Sequence, residues 1–109
     1  MYEQQDIVLL PFPYSDLTAA KQRPALIVSN QKLNKEDRIC CLITSKKTSE
    51  GLLVTQESLK QGKLPFTSWV KPHRIFTIHE KLIKRRLCTA TKVFHKEVIQ
   101  NLDEYLDSD

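Results

Sequence analysis

Residues 25–28, Ala-Leu-Ile-Val, set the first constraint on this chain. A short apolar run with a β-branched end, closed by Ser29 and Asn30, reads as a strand buried on both faces. Pro24 stands at its start, where a missing N–H costs little. It also drives Arg23 towards extended backbone, because helical geometry there would clash with the proline ring. One arginine with restricted backbone therefore sits at the mouth of a buried strand. Its planar fork of donors matches two phosphate oxygens, which makes Arg23 a candidate phosphate clamp; the plain alternative is a surface ion pair.

The remaining segments read as further strands and one helix. Asp6 to Leu10 is a first strand, and two prolines with Ser15-Asp16 stop it, leaving Tyr14 to Gln22 as a loop. After a polar connection from Asn30 to Asp37, Arg38 to Ser45 is a third strand, apolar on both faces. Lys46 to Glu50 is a charged loop, Leu52 to Val54 a short strand, and Gln56 to Gln61 one helical turn stopped by Gly62 and Pro65. Ser68 to Ile78 holds two strand-like runs broken at Pro72, which suggests an edge position or a bulge. His79 to Ile83 reads as a brief turn and Arg86 to Thr89 as a last short strand. From Thr91 the period changes: Phe94, Val98, Ile99, Leu102, Tyr105 and Leu106 recur at helical steps. The expectation is one domain over residues 1–109, mainly β, with a strongly curved sheet or barrel closed by a C-terminal helix.

Charge and cysteine usage narrow the partners. Lysine and arginine number 17 against 13 acidic residues, a net charge of +4 that favours an anionic partner. The acidic stretch Asp103 to Asp109 leaves the rest of the chain more basic still. Cys40, Cys41 and Cys88, odd in number and without metal-ligand spacing, read as buried thiols in a reducing compartment. No signal pattern or long apolar span is present, so a cytoplasmic protein with no membrane partner is expected. Two glycines leave no room for a nucleotide-cradling loop, and three dispersed histidines suggest no metal or other cofactor.

Several residues stand out as candidates for chemistry. Thr44 and Ser45 end a strand beside the place where the Arg23 strand could pair, and either hydroxyl could donate to phosphate or bond its own backbone. His73 lies in Lys71-Pro72-His73-Arg74, and an imidazole suits general acid or base work near neutral pH. Lys81, Lys84, Arg85 and Arg86 form a basic cluster, either a solvated face or a track for a phosphate backbone. Trp69, Phe66 and Phe12 offer stacking surfaces for unpaired bases, or core.

Residues 6–17 (Asp-Ile-Val-Leu-Leu-Pro-Phe-Pro-Tyr-Ser-Asp-Leu), 22–29 (Gln-Arg-Pro-Ala-Leu-Ile-Val-Ser) and 42–45 (Leu-Ile-Thr-Ser) resemble the MazF/PemK family of toxins from type II toxin–antitoxin modules. The likeness continues through 68–72 (Ser-Trp-Val-Lys-Pro) and 75–78 (Ile-Phe-Thr-Ile) into the terminal helix, in order over nearly the whole chain. It implies a compact SH3-like β-barrel of the MazF/CcdB type with a C-terminal α-helix, usually a homodimer with RNA across the dimer face. It implies a metal-independent, sequence-specific endoribonuclease acting on single-stranded RNA, an mRNA interferase. In that chemistry the 2′-hydroxyl attacks its adjacent phosphate and leaves a 2′,3′-cyclic phosphate and a 5′-hydroxyl.

The family's arginine before proline falls on Arg23 and its strand-end threonine on Thr44. In one branch an Arg-x-Asp pair has acid and base roles, and the matching positions are Lys71 and His73. His73 is thus the candidate base and Lys71 its electrostatic support. Tyr14, Ser15, Lys21, Ser45, Lys46, Lys71 and Trp69 are the implied RNA contacts. A cognate antitoxin is implied as partner, competing with RNA at the Tyr14 to Gln22 loop, with DNA reached only through it. Two departures stand out: Gln5 replaces a glycine before Asp-Ile-Val, and Leu87-Cys88 stands where a glycine is common. The rival readings are a catalytically silent nucleic-acid-binding module and a gyrase-binding toxin resembling CcdB.

Overall fold

Period-two burial organises the chain into one antiparallel sheet. The computed structural model describes residues 1–11 and 21–109. Its strands are β1 (Asp6–Pro11), β2 (Gln22–Ile27), β3 (Asp37–Thr44), β4 (Leu52–Val54), β5 (Leu59–Gly62), β6 (Ser68–His79) and β7 (Arg85–Ala90), followed by helix α1 (Lys92–Leu106). They lie in the order β4-β6-β3-β2-β1-β7-β5. The two edges, β4 and β5, are separated only by Thr55 and a 3-10 turn over Gln56–Ser58. A chain that joins opposite edges so briefly must curl the sheet back on itself. The result is a nearly closed seven-stranded barrel with one C-terminal helix.

Both faces of the central strands are dry, which explains their uninterrupted apolar runs. On one face Leu26, Val28, Cys41, Ile43 and Val70 pack against Phe94 and Val98 of α1. On the other, Ala25, Ile27, Cys40 and Leu42 join Val8, Leu10, Phe76 and Ile83. Each fully buried aliphatic side chain contributes roughly 1.5–3 kcal/mol, so neither strand tolerates a polar residue in its middle. Burial also pushes the Cys40 and Cys41 thiols up to about 12 and Cys88 to about 11. All three are free, as expected of buried cysteines. The helix starts where Thr91 accepts the Phe94 N–H at 3.0 Å, an N-cap bond. Its last apolar residues, Tyr105 and Leu106, remain 50% and 70% exposed instead of completing the core stripe.

Three local features differ from the sequence expectation or refine it. The turn expected over Gln56 to Gln61 ends at Ser58, whose side chain closes a capping box with Thr55, and Leu59–Gly62 instead pairs with β7. The two runs around Pro72 are one strand whose pairing with β3 slips between Leu42↔Lys71 and Cys41↔Ile75. Residues 72–74 are therefore a bulge, and Pro72 lies beyond the rungs that β4 forms with Ser68 to Val70. Gly62, at φ +78°, lets β5 approach β7 closely, since a Cβ there would lie 2.9 Å from both the Cys88 Cβ and the Leu87 carbonyl oxygen. The close approach at Leu87-Cys88 is supplied by a glycine across the ladder.

Buried charge fixes the far end of the barrel. Arg38 is 1% exposed; it donates to the carbonyls of Tyr2, Lys35 and Asp37 and to Glu80 Oε2 at 3.2 Å. The N-terminus is held by Gln5, which sits at φ +82°. Its N–H reaches the Ile27 carbonyl and its side chain donates to the Ala90 carbonyl at 2.9 Å. Left-handed backbone is why a glycine suits this position, and a side chain there costs about 1–2 kcal/mol. Gln5→Ala keeps the strain and loses the side-chain bond, so stability should fall by about 1 kcal/mol. Gln5→Gly loses the same bond but sheds the strain, and should stay within about 0.5 kcal/mol of the parent. Urea midpoints compare the two; a glycine variant as weak as the alanine variant would remove the strain argument.

Candidate active site

Strand register assembles the residues that the sequence singles out. Arg23 is the second residue of β2 and pairs with Leu10 of β1. Extending the β2–β3 register two residues past Ala25↔Leu42 sets Arg23 opposite Thr44, which pairs in turn with Trp69 of β6. Opposed residues of antiparallel neighbours share a face, so Arg23, Thr44 and Trp69 form a row. Lys71, paired with Leu42, lies on the same face about 7 Å further along the strand. The β2–β3 ladder begins only at Ala25, so the N–H that Pro24 lacks interrupts none of its rungs.

Each member of the row is held by its surroundings. Thr44 is half-buried, and its Oγ1 accepts the Lys46 N–H at 3.1 Å, which leaves the hydroxyl hydrogen to donate. Trp69 backs onto Gly51, where a Cβ would lie 2.6 Å from Thr48 Cγ2 and 2.8 Å from the Trp69 Cβ. Only glycine fits that close approach without displacement. Ser45 and Lys46 follow β3 and are exposed.

Of this row, Arg23 alone also lines a cavity of about 390 Å³, whose other strand residues, among them Leu9, Pro24, Ile43 and Ser68, alternate with the row. Its apolar lining comes from Leu9, Pro24, Ile43, Leu64 and Leu87. Lys21, Arg23 and Arg85 supply cations, and Ser45 and Ser68 supply hydroxyls. The buried Ser68 donates to the Phe66 carbonyl at 2.8 Å and so pins the loop before β6, leaving the Phe66 ring 71% exposed at the cavity. An apolar pocket of this size with a few convergent polar groups is how a ligand site is built. Phe66 was legible in the sequence as a stacking candidate, whereas Ser68 carried no signal and Arg85 was one of a run of cations.

Other candidates lie elsewhere. His73 is exposed in the bulge, with its ring edge-on to Tyr105 of α1 at 5.9 Å and 74°, and it is not among the residues that line the cavity. Glu50 stands near it; that carboxyl is held below the ordinary range chiefly by the Thr48 hydroxyl, with a smaller contribution from His73. Arg86 of the basic cluster lies 3.8 Å from Asp6, which also accepts from Thr89 and the Glu3 N–H. His79 accepts the Lys81 N–H and caps a 3-10 turn. Tyr14, Ser15 and Phe12 lie outside the described residues, as does the expected loop up to residue 20, while Gln22, expected to end that loop, opens β2 instead. Among the described residues no cluster of His, Cys, Asp or Glu has the makings of a metal site, and no helix is long and apolar enough to cross a membrane.

A family model for the PemK-like, MazF-like toxin of type II toxin–antitoxin systems matches residues 3–106. The chain belongs to this family. Comparison with curated proteins finds no match. Among solved structures, MazF from Deinococcus radiodurans superposes with a TM-score of 0.75 at 19% identity, covering 96% of each chain. Mycobacterium tuberculosis toxin MazF-mt6 gives 0.73 at 16% identity, over 95% of this chain and 98% of its own. An endoribonuclease from a mycobacterial species, solved with its cognate antitoxin, gives 0.71 at 17% identity, over 96% and 92%. The barrel with its C-terminal helix is thus the MazF fold.

His95 has a structural setting that titration can read. Its Nε2 lies 3.2 Å from the Val28 carbonyl, and desolvation holds the ring below its ordinary value of 6.5, partly opposed by that carbonyl. Below that value the unfolded chain takes up a proton that the native ring resists, so stability present above about pH 6.5 is lost as pH falls through the depressed native value. Thermal midpoints at about pH 7 and 5.5 should therefore drop further in the parent than in His95→Gln. Equal drops would remove His95 from the pH dependence.

Proposed function

We propose that this protein is the toxin of a type II toxin–antitoxin module and a sequence-specific endoribonuclease for single-stranded RNA. The observation that carries the reading is the strand register that sets Arg23 opposite Thr44, with Arg23 also lining a cavity that combines three cations with an apolar lining. Fold likeness to MazF from Deinococcus radiodurans and to a mycobacterial endoribonuclease supports it. The antitoxin bound in that mycobacterial structure supports a cognate antitoxin as partner here, with DNA reached only through it. A homodimer working in the cytoplasm completes the proposal.

The substrate brings its own nucleophile. The 2′-oxygen bonds to the adjacent phosphorus, the bond from phosphorus to the 5′-oxygen breaks, and the products carry a 2′,3′-cyclic phosphate and a 5′-hydroxyl. One proton leaves the 2′-hydroxyl and one reaches the departing oxygen. The protein's work is to hold the in-line geometry and to stabilise charge as phosphorus becomes five-coordinate. Arg23 supplies a guanidinium fork for the non-bridging oxygens and assists the leaving oxygen, and Thr44 donates its hydroxyl hydrogen. Lys71 adds charge from the same face. His73 as base requires the 2′-hydroxyl to come within reach of the bulge, where its ring stands edge-on to Tyr105 and outside the cavity lining.

The test uses antitoxin-free protein and a long single-stranded RNA, with and without EDTA. EDTA-resistant fragments with 5′-hydroxyl ends are expected. Arg23→Ala should slow their release by about a hundredfold to a thousandfold, and Arg23→Lys should not restore the rate, since an ammonium lacks the fork. His73→Gln should flatten the rising limb of the pH–rate profile; an unchanged limb assigns the base elsewhere. Intact RNA from the folded parent would overturn the nuclease reading and return the silent binder and the gyrase poison.

A further inference from the structure

We infer that Phe66 and Arg85 form a nucleotide subsite beside the scissile phosphate, with Phe66 stacking on one unpaired base. This inference rests on the proposed RNA substrate and adds residues that the family motifs do not point to. Four observations converge on it. Arg85 pairs with Leu9, and Leu9 pairs with Pro24, the neighbour of Arg23, so the two arginines stand on opposite sides of β1. Both line the same cavity. Phe66 lies at that cavity, and a ring 71% exposed contributes little to the core. Its backbone is pinned by the buried Ser68, so the ring is presented from a fixed point.

The chemistry of the lining selects the ligand. Two guanidinium groups and Lys21 call for anionic oxygens, while Leu64, Leu87 and Ile43 call for a flat apolar body. A nucleotide carries both, and an unpaired base offers a π-face to Phe66, with a modest preference set by how strongly each base stacks. Arg85 differs from Arg86, whose guanidinium is drawn towards Asp6. Phe66 therefore sets at most a modest base preference through stacking strength and Arg85 holds a phosphate, while the bond-breaking step stays with Arg23 and Thr44.

The probe that separates binding from cleavage is a fluorescent single-stranded DNA oligonucleotide of mixed sequence, which lacks the 2′-hydroxyl and cannot be cut by this route. Its affinity is measured by anisotropy for the parent, Phe66→Ala, Phe66→Tyr and Arg85→Ala, each with a thermal midpoint to confirm folding. In parallel, 5′-hydroxyl ends from a long RNA are mapped by sequencing. Phe66→Ala should weaken the oligonucleotide about tenfold and relax the nucleotide preference at one position flanking the cut, and Phe66→Tyr should restore both. Arg85→Ala should weaken binding and reduce its salt dependence by about one phosphate contact. Parent-like affinity and an unchanged cut motif in the folded Phe66→Ala and Arg85→Ala variants would overturn the subsite while leaving the nuclease reading intact. Oligonucleotide binding that the two alanine variants weaken, in a parent that cuts no RNA, would support the subsite and sink the nuclease. A parent that binds no nucleic acid would sink both.

Discussion

The rest of the structure depends on the long ladder between β3 and β6, which runs from Asp37↔His79 to Thr44↔Trp69. At one end the buried Arg38 ties that ladder to the N-terminus, to its own turn and to Glu80. At the other, Thr44 and Trp69 present their side chains to the row that includes Arg23. Between them the bulge at residues 72–74 absorbs the curvature that a strand of twelve residues must take to stay in a small barrel. A buried arginine donating to three carbonyls and a carboxylate is not readily replaced, because removing one partner leaves the others desolvated. The structural arginine and the candidate catalytic one thus belong to opposite ends of one β framework.

That separation has a physical logic. The far end is closed by Ile83, Phe76 and Ile78 and carries a satisfied charge, so it contributes rigidity. The near end brings Lys21, Arg23 and Arg85 around an apolar hollow, an arrangement that favours an anionic ligand. Stability is concentrated away from the cavity, and the cavity is left with groups that gain most from a phosphate-bearing ligand. The Ser68 to Phe66 bond extends that rigidity to the segment before β6 that lines the cavity.

Much of this was legible in the sequence because the signals were local. The Ala25–Val28 run, the β-branched content of β3 and the helical spacing from Phe94 each encode their own burial. Pro72 announced the bulge, since its ring cannot sit in an unbroken ladder between two partners. β5 was not legible: Leu59-Lys60-Gln61-Gly62 has one apolar residue, and its strand state comes from pairing with β7, distant in sequence. Arg38 was equally silent, because its partners are mainly backbone carbonyls, which leave no mark on side-chain identity. In the site, the adjacency of Arg23 and Thr44 followed from strand order. The separation of His73 from the cavity did not, since it arises where the bulge turns that ring towards Tyr105.

The three buried thiols give the barrel an internal clock. With Cys40 and Cys41 near 12 and Cys88 near 11, almost no thiolate exists in the native state at neutral pH. A thiol reagent therefore reports only on molecules that have opened. Cys88 pairs with Gly62 of the edge strand β5, whereas Cys40 and Cys41 lie in β3, flanked by strands on both sides. Fraying of the β5 edge uncovers the first of these thiols without disturbing the other two, and global unfolding uncovers all three. The order in which they become modified is thus a record of how this barrel comes apart.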